Sequence, residues 1–270
     1  MFLSRRMVTP MTACLSLIAL HAASAQRGSS PYSTSITVTN GFTANSHVDL
    51  NASPLTFSGM GYEAGLGFRR AFGPWSFSTT FDGARRSYST RLSDVSSFST
   101  AAPSTETSFD GRLAVSLVRE LGKSPSHGLG VGLFGDASGS LLRHYYADPS
   151  GTVSDYVHGI ISFGPEVTWR QSIGDGMAHL DVEAPLFGFV HRPYADTRTV
   201  RPAPSFDFAT PSNLRALNAG ISYESSLQKR FGIFAAYRLR ALDIAQPRSY
   251  RGLSNTLSVG VVARLGQGKK

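Results

Sequence analysis

Residues 128–146 read GLGVGLFGDASGSLLRHYY, and two structures compete for them. Gly130, Gly132 and Gly135 have the G-x-G-x-x-G spacing of a dinucleotide-binding loop. Yet Leu129, Val131 and Leu133 alternate with glycine, as in a strand with one apolar face. The flanking sequence decides. A dinucleotide loop joins a strand to a helix inside a βαβ unit. Here the alternation runs on through Ala137 and Leu141, opposite Asp136, Ser138, Ser140 and His144, and no segment of helical period follows. The stretch is a strand whose glycines set spacing, and neither a nucleotide nor any other cofactor is expected.

The same period of two recurs along the chain. Val157, Ile161, Phe163, Val167 and Trp169 share one face, with His158, Glu166 and Arg170 opposite. After Gly174-Asp175-Gly176, a tight hairpin signal, Leu180, Val182, Leu186 and Val190 oppose His179, Asp181, Glu183, Phe187 and His191. The pattern predicts ten strands, at 34–46, 56–72, 75–91, 108–121, 128–147, 156–172, 177–194, 214–229, 232–244 and 254–265. Short connections alternate with longer ones at 93–107, 148–155, 195–213 and 244–253, rich in Ser, Thr, Pro and Asp. Short turns on one side and long loops on the other are the layout of a membrane β-barrel. Most segments also exceed the roughly 9–11 tilted residues that cross a bilayer. The expected fold is all-β: a closed antiparallel up-and-down transmembrane β-barrel of ten strands, with eight or twelve as alternatives.

The face opposite the apolar one identifies the interior. It carries Asp136, Glu166, Arg170, His179, Asp181, Glu183, Glu224, Arg238 and Arg240, an ion-pair network expected to fill the lumen. Lysine is nearly absent from these strands, and arginine forks suit crowded networks of carboxylates. Phe72, Trp75, Trp169, Tyr145, Tyr194, Tyr223 and Tyr237 are expected toward lipid, several of them at strand ends as interfacial girdles, with Tyr250 at the long-loop border.

The N-terminus predicts the compartment. Arg5 and Arg6, an apolar run over 11–22 and Ala23-Ser24-Ala25 form a secretory leader, giving a cleaved segment 1–25 and one barrel domain over 26–270. The single cysteine, Cys14, falls inside that leader, so disulfides and thiolate chemistry are excluded from the mature chain. Removing the leader takes away two arginines and no acid, lowering the net charge from +8 to +6. The basic residues come as singles and pairs, which argues against nucleic acid and leaves lipid phosphates as the anionic partner.

On these features the chain resembles the general class of bacterial outer-membrane β-barrel proteins, of the small ten-stranded type. The resemblance implies insertion in the outer membrane of a Gram-negative (diderm) bacterium after Sec-type export. Its implied partners are outer-membrane lipids, lipopolysaccharide and the barrel-assembly machinery; it says nothing of oligomeric state. One departure is the last strand, which ends on Leu265 and a short tail where such barrels commonly end on an aromatic residue.

No G-x-S-x-G elbow, H-E-x-x-H helix or acidic calcium loop is present. His144, His158 and His191 are expected inward near the long-loop rim, with Asp148, Asp155, Tyr146 and Tyr156 nearby; they are the candidates for acid–base chemistry, and no metal site is expected. In size the barrel resembles the omptin proteases and the small lipid-A-modifying enzymes, but no motif of either is matched. The expected role is non-enzymatic: envelope structure, surface recognition or restricted, porin-like transport. The alternatives are a barrel enzyme acting on lipid A or peptides at the rim, and a soluble secreted or periplasmic β-sandwich.

Overall fold

Strict alternation over long segments puts every second side chain on the same side of a sheet, and such a sheet can hide its edges by closing on itself. The computed structural model describes residues 32–49, 53–90, 105–122, 124, 126–145, 153–192, 206–228, 230–245 and 249–267. Its strands are β1 (Tyr32–Asp49), β2 (Ser53–Phe72), β3 (Trp75–Thr90), β4 (Thr105–Glu120), β5 (His127–Tyr145), β6 (Val153–Ile173), β7 (Gly176–Glu183), β8 (Phe187–His191), β9 (Phe206–Ala209), β10 (Leu214–Gln228), β11 (Phe231–Ile244) and β12 (Tyr250–Gln267). Antiparallel neighbours run β1 to β7 in order, then β10, β11 and β12, and β12 pairs back onto β1 from Tyr32↔Gln267 to Asp49↔Tyr250. Ten strands therefore close one cylinder. The two-sheet sandwich alternative is excluded.

At one end the hairpins are tight. Gly73 and Gly174 take φ of 59° and 63°. At Gly73-Pro74 the positive φ is followed by proline's fixed negative one, the signature of a type II′ turn whose twist matches the strands. The outer wall carries the apolar set: Phe42, Leu66, Phe81, Leu113, Leu133 and Ile161 are all exposed. In residues 128–145 the faces separate as expected, with Leu129, Val131, Leu133 and Leu141 outward and Asp136 and His144 buried. Gly132 is needed for spacing: a Cβ there would lie 2.2 Å from the Leu117 carbonyl oxygen.

Above the cylinder the chain departs from the sequence pattern. Below, Glu183 pairs with Glu166; above, Phe187 pairs with Phe163. Three residues, Ala184 to Leu186, thus face two on β6, a β-bulge. Such a one-residue slip turns every later side chain to the other face. Phe187 and Phe189 are exposed, while Val190 and Arg192 are buried inside. His191 shares the face of Phe187 and Phe189, so the expectation that His191 and Phe187 look inward is corrected. A further strand, β9, lies within the segment 195–213 expected to be loop, and it pairs with β8 to extend the long-loop rim. β4, β6 and β12 also begin inside expected loops.

Val190 joins Ile160, Ala209, Leu214 and Ile244 in a buried apolar cluster, with Leu242 and Tyr250 against it. This cluster sits inside the long-loop end. The expected leader 1–25 lies outside the described residues, as do Tyr146, Asp148 and Tyr194.

Candidate functional site

The interior is organised in three layers. The middle layer is a belt of arginine–carboxylate pairs. Arg112 on β4 reaches Asp136 on β5 through a short Nε contact, Glu183 on β7 at 3.3 Å and Asp82 on β3 at 3.9 Å. From β11, Arg238 donates to Asp82 at 2.8 Å and Arg240 reaches Asp136 at 3.3 Å. β11 lies four strands from β3 one way round and four from β5 the other, so these pairs cross the lumen. Asn218 donates to Glu183 at 2.9 Å, and Arg86 reaches Asp110 at 2.6 Å and Glu63 at 3.7 Å. Guanidinium suits this belt because one planar fork serves several carboxylates at once.

The layer toward the tight turns holds the remaining expected lumen residues. Arg170 pairs with Glu120 at 2.5 Å, Arg264 with Glu224 at 2.6 Å, and Ser116 donates to buried Glu166. His179 Nδ1 stands 3.5 Å from Arg69, and Asp181 shares its face with Glu183 beside Gly220. A cavity of about 260 Å³ lies among them.

The layer at the long-loop end contains His144, expected inward near this rim, and is built on Glu106, which the sequence pattern places in a loop. Glu106 on β4 is 1% exposed and sits between two imidazoles, His47 Nε2 at 3.3 Å and His144 Nε2 at 3.1 Å. Neither Glu106 oxygen has a hydrogen-bond partner among the described residues, so its hold on the two rings is one of charge and proximity. Phe57 stacks on His47 at 5.5 Å and meets His144 edge-on at 5.3 Å, while Tyr88 meets His47 edge-on at 4.9 Å. Tyr250 faces the interior, not the lipid border: it stacks on His47 at 5.8 Å and lies under the Arg192 guanidinium at 5.3 Å. Arg192 in turn binds Asp49 at 2.5 Å.

The three candidate histidines are therefore not brought together. His144 belongs to the Glu106 cluster, His158 lies against Tyr250 at 5.8 Å, and His191 is on the outer face. Asp155 is held on the exposed side by Arg143 at 2.7 Å. No group of three histidine, aspartate or glutamate side chains among the described residues is placed to hold a metal. Of the aromatic residues expected toward lipid, Phe72, Trp75, Trp169 and Tyr145 are exposed on the wall. Tyr223 and Tyr237, also on that face, donate to the Ile173 carbonyl at 3.1 Å and to Asn255 at 2.6 Å.

Glu106→Ala would remove the carboxylate that both buried imidazoles face. We expect a loss of about 1–3 kcal/mol, the cost of leaving buried polar groups without their counterpart. A urea titration of the refolded protein checks it, and an unchanged midpoint would remove Glu106 from any account of the rim.

A closed ten-stranded antiparallel cylinder, apolar outside and carrying paired charges inside, is the fold of the bacterial outer-membrane β-barrels. The structure is similar to the outer membrane protease OmpT of Escherichia coli, with a TM-score of 0.56 at 7% identity, covering 90% of this chain and 100% of that one. It is also similar to the translocator domain of the autotransporter NalP of Neisseria meningitidis (TM-score 0.46, 9% identity, 96% and 97% covered). A third similar structure is Ail, the attachment invasion locus protein of Yersinia pestis (TM-score 0.37, 10% identity, 87% and 99% covered). No protein-family model and no curated protein sequence matches the chain.

Proposed function

We propose that this chain is an integral outer-membrane protein of a Gram-negative bacterium that acts as a closed envelope barrel, presenting its long-loop end for surface recognition, and is not a diffusion pore. The observation that carries this is Arg112, tied at once to Asp82, Asp136 and Glu183 and joined by Arg238 and Arg240 from the far wall. A belt of paired charges at mid-height blocks bulk solute flow, as expected for barrels of this size, whose interiors side chains can fill. The exposed apolar wall supports the membrane location, because water-soluble monomers rarely expose so large a continuous patch.

An enzyme at the rim has less support. His144 is buried, His191 is on the outer face and Asp155 is engaged by Arg143. The protease activity named for OmpT belongs to that protein, and the likeness extends to the fold.

Two measurements test the proposal together. The protein should fractionate with the outer membrane, and its unheated form should migrate differently from its boiled form on a gel. In planar bilayers it should show no stable open-channel conductance. Recovery from the periplasm without detergent would refute the location, and steady conductance steps would refute the closed interior.

A further inference from the structure

Between the belt and the histidine rim lies a second cavity, of about 150 Å³, lined by four arginines and three carboxylates. The charges on this wall are unequally engaged. Arg86 is occupied by Asp110 and Glu63, and Arg112 by Asp82, Asp136 and Glu183. Arg238 and Arg240, two positions apart on β11, are each only half used. Arg238 bonds through Nη1 alone; Arg240 uses Nη2 alone, on Asp136 and on Ser138 at 3.0 Å. Their remaining guanidinium nitrogens make no hydrogen bond among the described residues, and the two side chains are 30% and 29% exposed.

The opposite end of the same cavity is different in kind. Tyr250, Tyr88, His158, Leu142, Ile160 and Leu242 line it with rings and aliphatic groups. The chamber is thus polarised, with free guanidinium edges at the belt and an apolar, aromatic ceiling below the rim. Ligand sites have this character: mostly apolar walls and a few convergent polar groups that fix orientation.

We propose that this chamber binds a small organic carboxylate. The carboxylate group lies against the free edges of Arg238 and Arg240, where a planar fork can donate two parallel hydrogen bonds. The compact apolar or aromatic body lies against Tyr250 and Leu242. The volume sets the size, since a cavity of about 150 Å³ holds one benzene ring. The proposal concerns the interior alone and stands apart from the membrane location and from the absence of conductance.

The test uses the full chain refolded in detergent, with benzoate as probe and acetate, benzyl alcohol and inorganic phosphate as comparisons. Benzoate should raise the melting temperature saturably and give a single-site isotherm. Acetate should bind at least tenfold more weakly because it leaves the ceiling unfilled, and benzyl alcohol likewise because it lacks the charge. Arg240→Gln should weaken benzoate at least tenfold; Asp136 keeps Arg112 in that variant, and the heat-dependent gel shift verifies folding. Ser254 lines the cavity and pairs in register with Arg240, so Ser254→Leu should abolish binding with every charge intact. Absence of saturable benzoate binding would overturn the proposal. So would benzyl alcohol or phosphate binding as well as benzoate, or wild-type affinity in both folded variants.

Discussion

Replacing Arg112 by alanine is expected to cost about 3–5 kcal/mol, the penalty for removing one partner from a buried ion pair. Arg112 is 15% exposed and Asp136, its nearest partner, is not exposed at all. Without the guanidinium, Asp136 keeps, among the described residues, the 3.3 Å contact with Arg240, Glu183 keeps Asn218 at 2.9 Å, and Asp82 keeps Arg238 at 2.8 Å. Three carboxylates would then share two arginines from one strand, in a place water reaches poorly. Arg112→Lys should lose less, because an ammonium can serve one carboxylate well but cannot span all three. By contrast, exposed pairs contribute little to stability, and Arg143–Asp155 on the outer face provides the control. Urea unfolding of the refolded variants measures both. If Arg112→Ala lost no more than an Arg143→Ala control, the belt would be a bystander to stability.

The parts of this structure legible in sequence are those where alternation has high contrast. On β5, Leu129, Val131, Leu133 and Leu141 outside against Asp136, Ser138, Ser140 and His144 inside leave one solution, and both faces fall where the pattern puts them. Contrast fails at the long-loop ends of the strands. Thr105, Thr107 and Ser108 are polar on both faces of β4, so Glu106 reads as part of a polar loop although its strand begins at Thr105. His47 lies one residue beyond the predicted end of its strand, and Tyr250 lies in a stretch read as loop. The Glu106 cluster was hidden for that reason. Its available signal was the inward series Asp110, Ser108, Glu106, which continues the face of Arg112 upward. The face of β8 was illegible for a different reason. Ala184, Pro185 and Leu186 carry no charge to mark which side they take, and a bulge adds a residue without changing composition. The opposed prolines, Pro165 on β6 and Pro185 in the bulge, were the only local hint, since proline in a sheet interior often marks an irregular ladder.

Deleting Pro185 is expected to prevent the long-loop end from forming, because it restores an unbroken register between β6 and the strand that follows β7. Three residues against two would become two against two, and each side chain of β8 would change face. Phe187 and Phe189, now about half exposed on the wall, would turn into a rim already filled by Ile160, Leu214 and Ile244. Val190, 1% exposed, would leave that cluster. Arg192 would lose Asp49 and the face of Tyr250 and point toward lipid, where an arginine costs about 2–4 kcal/mol at mid-membrane and less near the interface. None of these changes offsets another, and β9 depends on β8 for its pairing. The deletion should therefore yield little or none of the heat-modifiable folded species on refolding. Pro185→Ala keeps the residue count, hence the bulge, and should refold normally. Should the deletion variant instead fold in good yield, a double-mutant cycle between Asp49 and Arg192 measures whether their coupling survives. A surviving coupling would mean that the extra residue does not set the inward face of β8.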